Sequence, residues 1–170
     1  IAARLTLTDR ARPESAAAIA ALRSMGCAVG MLTGDRKASA LVVASAAGLR
    51  SDEVMADQTP ESKSAAIAAR GASTVMMIGD GINDAGALSA AGIGVAMGSG
   101  TALAAASADA ILLRDDPRGV AELIGVARET IGVVRQNLFL AFIYNAAAIP
   151  LAALGFLGAN GPIIAAVAMG

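Results

Sequence analysis

Short apolar segments alternate with helix-forming segments from residue 4 to residue 113 of this chain. Strands are predicted over 4–8, 27–32, 54–56, 75–78, 93–97 and 110–113. Between them, helices are predicted over about 13–25, 37–47, 60–70, 85–91 and 102–107, and glycine often follows the helix end. Regular alternation of strands and helices is typical of a parallel sheet with right-handed crossovers. The sequence therefore predicts an α/β fold.

The segment from Val75 to Asp84 carries the strongest chemical signal. Four apolar residues end at Ile78 and are followed by Gly79-Asp80-Gly81-Ile82-Asn83-Asp84. Glycines on both sides of Asp80 allow a turn that is too tight for ordinary side chains. Two close carboxylates repel unless a cation lies between them, and hard oxygen ligands suit Mg²⁺. Since ligands of α/β proteins bind at the carboxyl ends of strands, we predict a magnesium site at Asp80 and Asp84.

Three weaker signals surround this segment. Thr33-Gly34-Asp35 lies between a strand and a helix, where a hydroxyl and backbone amides would cradle a phosphate oxygen. Lys63 follows the predicted N-cap of a helix, and its ammonium would neutralise a phosphate. Taken alone, the tripeptide is more often a turn, and such a lysine is more often a solvated surface residue. Gly98-Ser99-Gly100-Thr101 lacks the Gly-Lys-Ser/Thr ending of a Walker motif, so a turn with an N-cap is predicted there.

The composition excludes several classes of function. The chain has no histidine, which excludes histidine-based catalytic triads, histidine zinc sites and histidine proton shuttles within it. Its net charge of −1 gives no sign of a nucleic-acid partner. A single cysteine cannot form an internal disulfide.

Residues 136–170 contain no charged side chain. The apolar run 138–157 has about the ~20 residues that cross a bilayer, and a second run begins at 162. We therefore predict an α/β domain over 1–118, an amphipathic connecting helix over 119–137, a transmembrane helix over 138–157 and the start of a last transmembrane helix over 162–170. A buried helix in a soluble core is the alternative for the first run. Arg128 and Arg135 lie before the first run, so we predict an integral membrane protein whose residues 1–135 are cytoplasmic.

Polar groups interrupt the apolar runs at a few positions. Tyr144 and Asn145 lie near the middle of the first run, where an amide is costly without a partner and is a functional candidate. A hydrogen bond between helices is the alternative. Met169 offers a soft thioether that suits Cu(I), although a methionine at such a position more often packs against lipid.

The order of these motifs resembles that of the haloacid dehalogenase-like phosphotransferases: a strand ending in Thr33, then Lys63, then the Gly79–Asp84 turn. A narrower resemblance, to the P-type cation-transporting ATPases, lies in Met31-Leu32-Thr33-Gly34-Asp35, Gly79-Asp80-Gly81-Ile82-Asn83-Asp84-Ala85, Gly98-Ser99-Gly100-Thr101 and Gln136-Asn137-Leu138. Tyr144-Asn145, Ile149-Pro150-Leu151-Ala152-Ala153 and Ala168-Met169 are similar to the heavy-metal class, and most like its copper transporters.

This resemblance implies a role for each motif. Asp80 would hold the Mg²⁺ that bridges to a phosphoryl group, with Asp84 supporting the site. Thr33 and Asn83 would hydrogen-bond phosphate oxygens, and Lys63 would neutralise them. The assigned residues are Thr33, Gly34, Asp35, Lys63 and Asn83 for catalysis; Asp80 and Asp84 for magnesium; Asp9 and Arg12 for the nucleotide and the hinge; and Tyr144, Asn145 and Met169 for the transported metal.

The resemblance also implies ATP-driven transport of a heavy-metal cation, Cu(I) or Ag(I), through an aspartyl phosphate. ATP and Mg²⁺ would be the cofactors, the lipid bilayer a partner and the plasma membrane the location. The Asp-Lys-Thr-Gly-Thr motif of the family does not occur in this sequence. We therefore expect a fragment of a pump that is inactive alone. A membrane-anchored phosphatase of the same fold, a zinc- or cadmium-type pump and a non-catalytic membrane subunit stay open as alternatives.

Overall fold

The computed structural model describes residues 11–98 and 100–154, apart from the side chains of residues 152 and 153. The chain divides into two compact units, Ile1–Leu123 and Ile124–Gly170. The elements in chain order are α1 (Ser15–Ser24), β1 (Met31–Leu32), α2 (Lys37–Ala46), β2 (Val54–Met55), α3 (Pro60–Ala69), β3 (Met76–Gly79), α4 (Ala85–Ala90), β4 (Ile93–Met97), α5 (Ala102–Ala106), β5 (Ala110–Leu112) and α6 (Arg118–Ala153). Short 3₁₀ helices occupy Ser51–Glu53, Ala72–Thr74 and Ile82–Asp84. The strand predicted over 4–8 lies outside the described residues.

The strands pair in parallel throughout the described part of the chain. β1 pairs with β2, with Met31 opposite Val54. β3, β4 and β5 form a second, three-stranded sheet in that order. A helix connects each strand to the next, so the α/β fold with parallel strands is confirmed.

The core of the first unit consists mostly of small and aliphatic side chains, and its largest fully buried side chains lie on α4 and β4. Leu88 of α4 and Val95 of β4 are fully buried. The elements approach so closely that a Cβ at Gly94 would lie 2.7 Å from the Leu88 carbonyl oxygen. β3 is only half-buried although its sequence is apolar, and its Ile78 is 36% exposed. Among the described strands, β4 pairs on both sides, whereas β3 pairs on one.

Sequence signals account for the helix ends. The Thr59 hydroxyl oxygen accepts the Ser62 N–H at 3.2 Å, and Pro60 is the first residue of α3. At the same helix start, the pKa of Glu61 is lowered, first by its own backbone N–H and then by the Thr59 hydroxyl. α1 ends at Ser24, and Gly26 two residues later has a φ of 81°. The Cys27 N–H then donates to the Leu22 carbonyl at 3.0 Å.

The strand predicted over 27–32 is wrong in its length and burial. Only Met31 and Leu32 form β1, because β2 offers just two pairing residues, Val54 and Met55. Both residues of β1 are half-buried, whereas an apolar run of this kind is typical of a parallel strand that is covered on both faces.

The second unit contains the greater part of α6. This helix continues through Pro150 to Ala153, so the connecting helix predicted over 119–137 and the apolar helix predicted from 138 form one element. Among residues 11–98 and 100–154, no helix is both long and apolar enough to cross a bilayer. The transmembrane helix predicted over 138–157 is therefore unsupported where it is described. Its last residues, and the run 162–170, lie outside the described residues.

Candidate functional site

Lys63 and Asp84 form a nearly buried ion pair. Lys63 lies in the first turn of α3, Asp84 ends the turn after β3, and their Nζ and Oδ1 atoms are 2.7 Å apart. Only 10% and 15% of the two side chains is exposed. The interpretation of Lys63 as a solvated surface lysine is therefore wrong. Burying an ammonium costs several kcal/mol unless a partner offsets it, so Asp84 is what makes this position of Lys63 tolerable.

The turn after β3 is built around the Asp84 side chain. The Gly81 N–H donates to Asp84 Oδ2 at 3.3 Å, so both carboxylate oxygens have a donor. A Cβ at Gly79 would lie only 2.8 Å from the Asp84 Cβ, which explains glycine at that position. The turn thus fixes Asp84 as an acceptor directed at Lys63.

Asp80 has a different environment from Asp84. Its side chain is 55% exposed, and its Oδ2 lies 3.6 Å from Arg12 Nη2. Arg12 also forms an ion pair with Asp115 and donates through Nη1 to the Asp115 carbonyl at 3.1 Å. The main chain of Asp80, by contrast, is fixed: its carbonyl accepts the Thr101 N–H at 2.9 Å. Asp80 therefore presents an accessible carboxylate on an anchored backbone.

These two carboxylates fit one kind of magnesium site. Within the described residues, no three acidic or cysteine side chains come together as a metal cage. Mg²⁺ usually needs no such cage, since it binds through one or two carboxylates together with waters and phosphate oxygens. Asp80 has the exposure that a direct ligand requires. Asp84 is already engaged by Lys63 and Gly81, which suits a supporting position.

Thr33 and Asp35 form a closed turn after β1. The Thr33 hydroxyl donates to Asp35 Oδ2 at 2.9 Å and accepts the Asp35 N–H at 3.1 Å. The segment that leads to α3 is bonded to this turn. Asp57 N–H donates to the Asp35 carbonyl at 2.8 Å, and Gln58 N–H donates to the Thr33 carbonyl at 3.0 Å. The turn carrying Thr33 and the helix carrying Lys63 are therefore linked by the main chain.

The structure gives fewer contacts for the other predicted site residues. Asn83 is exposed within the short helix Ile82–Asp84, and Gly34 is exposed between Thr33 and Asp35. Tyr144 and Asn145 are half-buried in α6, in the second unit. Asp9 and Met169 lie outside the described residues. Among residues 11–98 and 100–154, no hydrogen bond joins the pairs Lys63–Asp84, Arg12–Asp80 and Thr33–Asp35 to one another.

Two further residues, Asp115 and Asp57, shape the site and were not predicted from the sequence. Asp115 lies 103 positions from Arg12 along the chain, and a local sequence pattern does not predict a pair at that separation. Asp57 has a φ of 56°, the left-handed region that non-glycine residues rarely adopt. The turn-forming composition of residues 56–60, with Asp, Gln, Thr and Pro, was the available signal for it.

We expect substitutions of Asp57 to follow its backbone conformation. Asp57→Asn and Asp57→Gly should change the free energy of unfolding little, because both residues tolerate a positive φ. Asp57→Val should destabilise the chain by about 1–2 kcal/mol, the cost of a left-handed conformation for a residue with a bulky Cβ. Urea unfolding of the three variants measures this. Equal stability of the Val and Gly variants would contradict the backbone explanation.

The chain matches known proteins over its whole length. Haloacid dehalogenase-like hydrolases match residues 1–92, and a second group of the same description matches residues 65–124. A cation-transporting P-type ATPase B of Mycobacterium tuberculosis is 45% identical over 99% of this chain, which covers 22% of that protein. A probable copper-transporting ATPase, PacS, of Synechococcus elongatus is 42% identical over 97% of this chain and 23% of that protein.

A solved structure gives a similar result. A zinc-transporting PIB-type ATPase superposes on this chain with a TM-score of 0.83 and 36% identity, covering 94% of this chain and 27% of that one. The chain therefore spans about a quarter of the length of the proteins it matches. The resemblance to P-type ATPases seen in the sequence motifs is confirmed, and relatives named for copper and for zinc are both among the matches.

Proposed function

The chain belongs to the haloacid dehalogenase-like hydrolase family, and on this basis we propose that it contributes the phosphoryl-transfer part of an ATP-driven heavy-metal pump. Its 45% identity to a cation-transporting P-type ATPase supports the proposal. The chain covers only 22% of that relative, so transport itself is a property proposed for a whole protein that contains this segment.

The observation that carries the proposal is the enclosed Lys63–Asp84 ion pair beside the exposed carboxylate of Asp80. A lysine that only kept α3 soluble would be exposed to water, whereas Lys63 is enclosed. An ion pair that served the fold alone would also give no reason for the exposed Asp80 carboxylate four residues before Asp84. A fixed positive charge next to an open carboxylate at a strand end is suited to a phosphoryl group and its magnesium ion.

The residues of the site then take distinct roles. Mg²⁺ held by Asp80 would supply positive charge to the phosphoryl oxygens. Asp84 holds the Lys63 ammonium in place, and Lys63 neutralises the transferring group. The Gly34 amide and the Asn83 side chain donate to phosphate oxygens. The Thr33 hydroxyl turns its single proton from Asp35 Oδ2 to a phosphate oxygen, while the Asp35 N–H, which donates to the Thr33 Oγ1, keeps that oxygen in place.

Arg12 and Asp9 belong to the hinge and the nucleotide side of the site in this proposal. The contacts of Arg12 favour the hinge role, because its guanidinium joins the segment before α1 to Asp80 and to Asp115 after β5. The acceptor of the phosphoryl group would be an aspartate in an Asp-Lys-Thr-Gly-Thr motif, which these 170 residues do not contain. Its carboxylate would attack the γ-phosphorus of ATP, ADP would leave, and water would later hydrolyse the acyl phosphate.

The transported ion is proposed to be Cu(I) or Ag(I). Tyr144, Asn145 and Met169 supply oxygen, amide and thioether groups, with no acidic residue after Glu129 that would favour a harder ion. In this proposal residues 138–157 and 162–170 enter the bilayer of the plasma membrane, and residues 1–135 face the cytoplasm. A zinc-type pump is the second candidate, favoured by the structural match to a zinc-transporting ATPase.

Metal-stimulated ATP hydrolysis by the whole protein in vesicles tests this assignment. We expect stimulation by Cu(I) and Ag(I) but not by Zn(II). We also expect that Asn145→Ala weakens the apparent affinity for the transported metal while Asn137→Ala, a matched asparagine before the apolar run, does not. Stimulation by Zn(II) alone would favour the zinc-type pump, and phosphatase turnover without ATP or metal stimulation would favour the anchored phosphatase.

A further inference from the structure

The loop after β4 holds the main chain of Asp80. The Thr101 N–H donates to the Asp80 carbonyl, with 2.9 Å between nitrogen and oxygen. This bond joins the loops that leave the carboxyl ends of two neighbouring strands, β3 and β4. Because it is a main-chain bond, it fixes the position from which the Asp80 side chain extends and leaves the carboxylate itself open.

Gly100 allows the two loops to come this close. A Cβ at position 100 would lie 2.8 Å from the Met97 carbonyl oxygen, 3.1 Å from the Asp80 carbonyl oxygen and 3.3 Å from the Asp80 Cα. All three neighbours are backbone atoms, which cannot turn aside as the end of a flexible side chain can. A larger residue would therefore displace either this loop or the backbone of Asp80.

Thr101 is itself fixed by the helix that it begins. Its hydroxyl oxygen accepts the Ala104 N–H at 3.2 Å, which confirms the N-cap predicted from the sequence. The cap uses the side chain of Thr101, while the bond to Asp80 uses its backbone N–H. One residue thus ties α5 to the turn after β3 through two separable groups.

We infer that Gly100 and Thr101 are positioning residues for Asp80, and that magnesium affinity depends on them. This inference rests on the proposed function, since it concerns support of the carboxylate proposed to bind Mg²⁺. The effect should resemble the loss of other groups that orient metal ligands, which lowers metal affinity by about 10–100-fold.

Two substitutions of Thr101 separate its two contacts. Thr101→Val removes the hydroxyl cap and keeps the backbone N–H. Thr101→Pro removes both, and proline is compatible with the Thr101 φ of −69°. We expect Thr101→Pro in the whole protein to raise the half-saturating Mg²⁺ concentration for ATP hydrolysis by about tenfold or more relative to Thr101→Val. The Mg²⁺-dependent rise in the melting temperature should shift to higher Mg²⁺ in the same way.

Gly100→Ala is the independent variant, and it should show the same shift in Mg²⁺ dependence. Gly98→Ala is its control, because the atoms nearest to a Cβ there belong to the backbone of Leu112 and Leu113, with both carbonyl oxygens at 2.6 Å. Gly98→Ala should therefore lower the melting temperature without weakening Mg²⁺ binding. If Thr101→Pro and Gly100→Ala leave the Mg²⁺ dependence as it is in their controls, the positioning role is wrong.

Asp80→Asn, measured in parallel, separates the two levels of the proposal. If Asp80→Asn abolishes the Mg²⁺ dependence and the loop variants do not change it, only the positioning role fails. If Asp80→Asn itself leaves both Mg²⁺ readouts unchanged, the magnesium role of Asp80 fails, and with it the proposed function.

Discussion

Lys63→Met is expected to destabilise the chain by about 3 kcal/mol, because it leaves the Asp84 carboxylate nearly buried without its cation. Methionine keeps the length and the apolar stem of lysine, so the loss reflects the missing ammonium more than lost packing. Lys37→Met is the matched control. Lys37 is exposed at the start of α2, and its substitution should stay within about 0.5 kcal/mol. Urea unfolding of the 170-residue chain, followed by circular dichroism, measures both.

A double-mutant cycle identifies the cause of that loss. Asp84→Asn alone should also destabilise, since it leaves the Lys63 ammonium enclosed without a counter-charge. The Lys63→Met, Asp84→Asn double variant should be more stable than the sum of the single changes implies, by about 1–3 kcal/mol. Strictly additive effects, or a Lys63→Met variant no weaker than Lys37→Met, would show that the ion pair does not support the fold.

Most elements of the fold could be predicted because their signals are local. The strand 93–97 and the start of α3 at Pro60 agree with the structure, since an apolar run and an N-cap followed by proline depend on neighbouring residues only. The length of β1 could not be predicted this way. It is limited by the two pairing residues of β2, which lie more than 20 positions later in the chain.

The candidate site shows the same division between local and distant information. The glycine-bracketed carboxylates were visible in the sequence because Gly79, Asp80 and Asp84 are close together along it. The burial of Lys63 was not visible, because its partner Asp84 is 21 positions away. Even the order of motifs, which identified Lys63 as a candidate, does not say that its ammonium would be held by Asp84.

The contacts of Asp80 lead to an expected separation between activity and stability. Asp80→Asn should lower metal-stimulated ATP hydrolysis by the whole protein by about 100-fold or more. A metal ion supplies several kcal/mol of transition-state stabilisation, and each 1.36 kcal/mol is about tenfold in rate. The free energy of unfolding should change by less than about 1 kcal/mol, because the side chain is 55% exposed and its pairing with Arg12 at 3.6 Å is a surface interaction.

Asp52→Asn provides a control that is matched in charge and surroundings. Asp52 is also exposed, and its Oδ1 lies 3.1 Å from the Nε of Arg50. The hydrogen bond from Arg50 lowers the pKa of Asp52. Asp52 lies in the 3₁₀ helix Ser51–Glu53, which is not part of the turn after β3. Its loss should therefore reproduce any general effect of removing a surface carboxylate without reducing ATP hydrolysis. The two variants are compared at saturating Mg²⁺. If Asp80→Asn hydrolyses ATP at the rate of Asp52→Asn, then Asp80 has no role in magnesium binding beyond that of any surface carboxylate. The enclosed ammonium of Lys63 would then serve the fold alone.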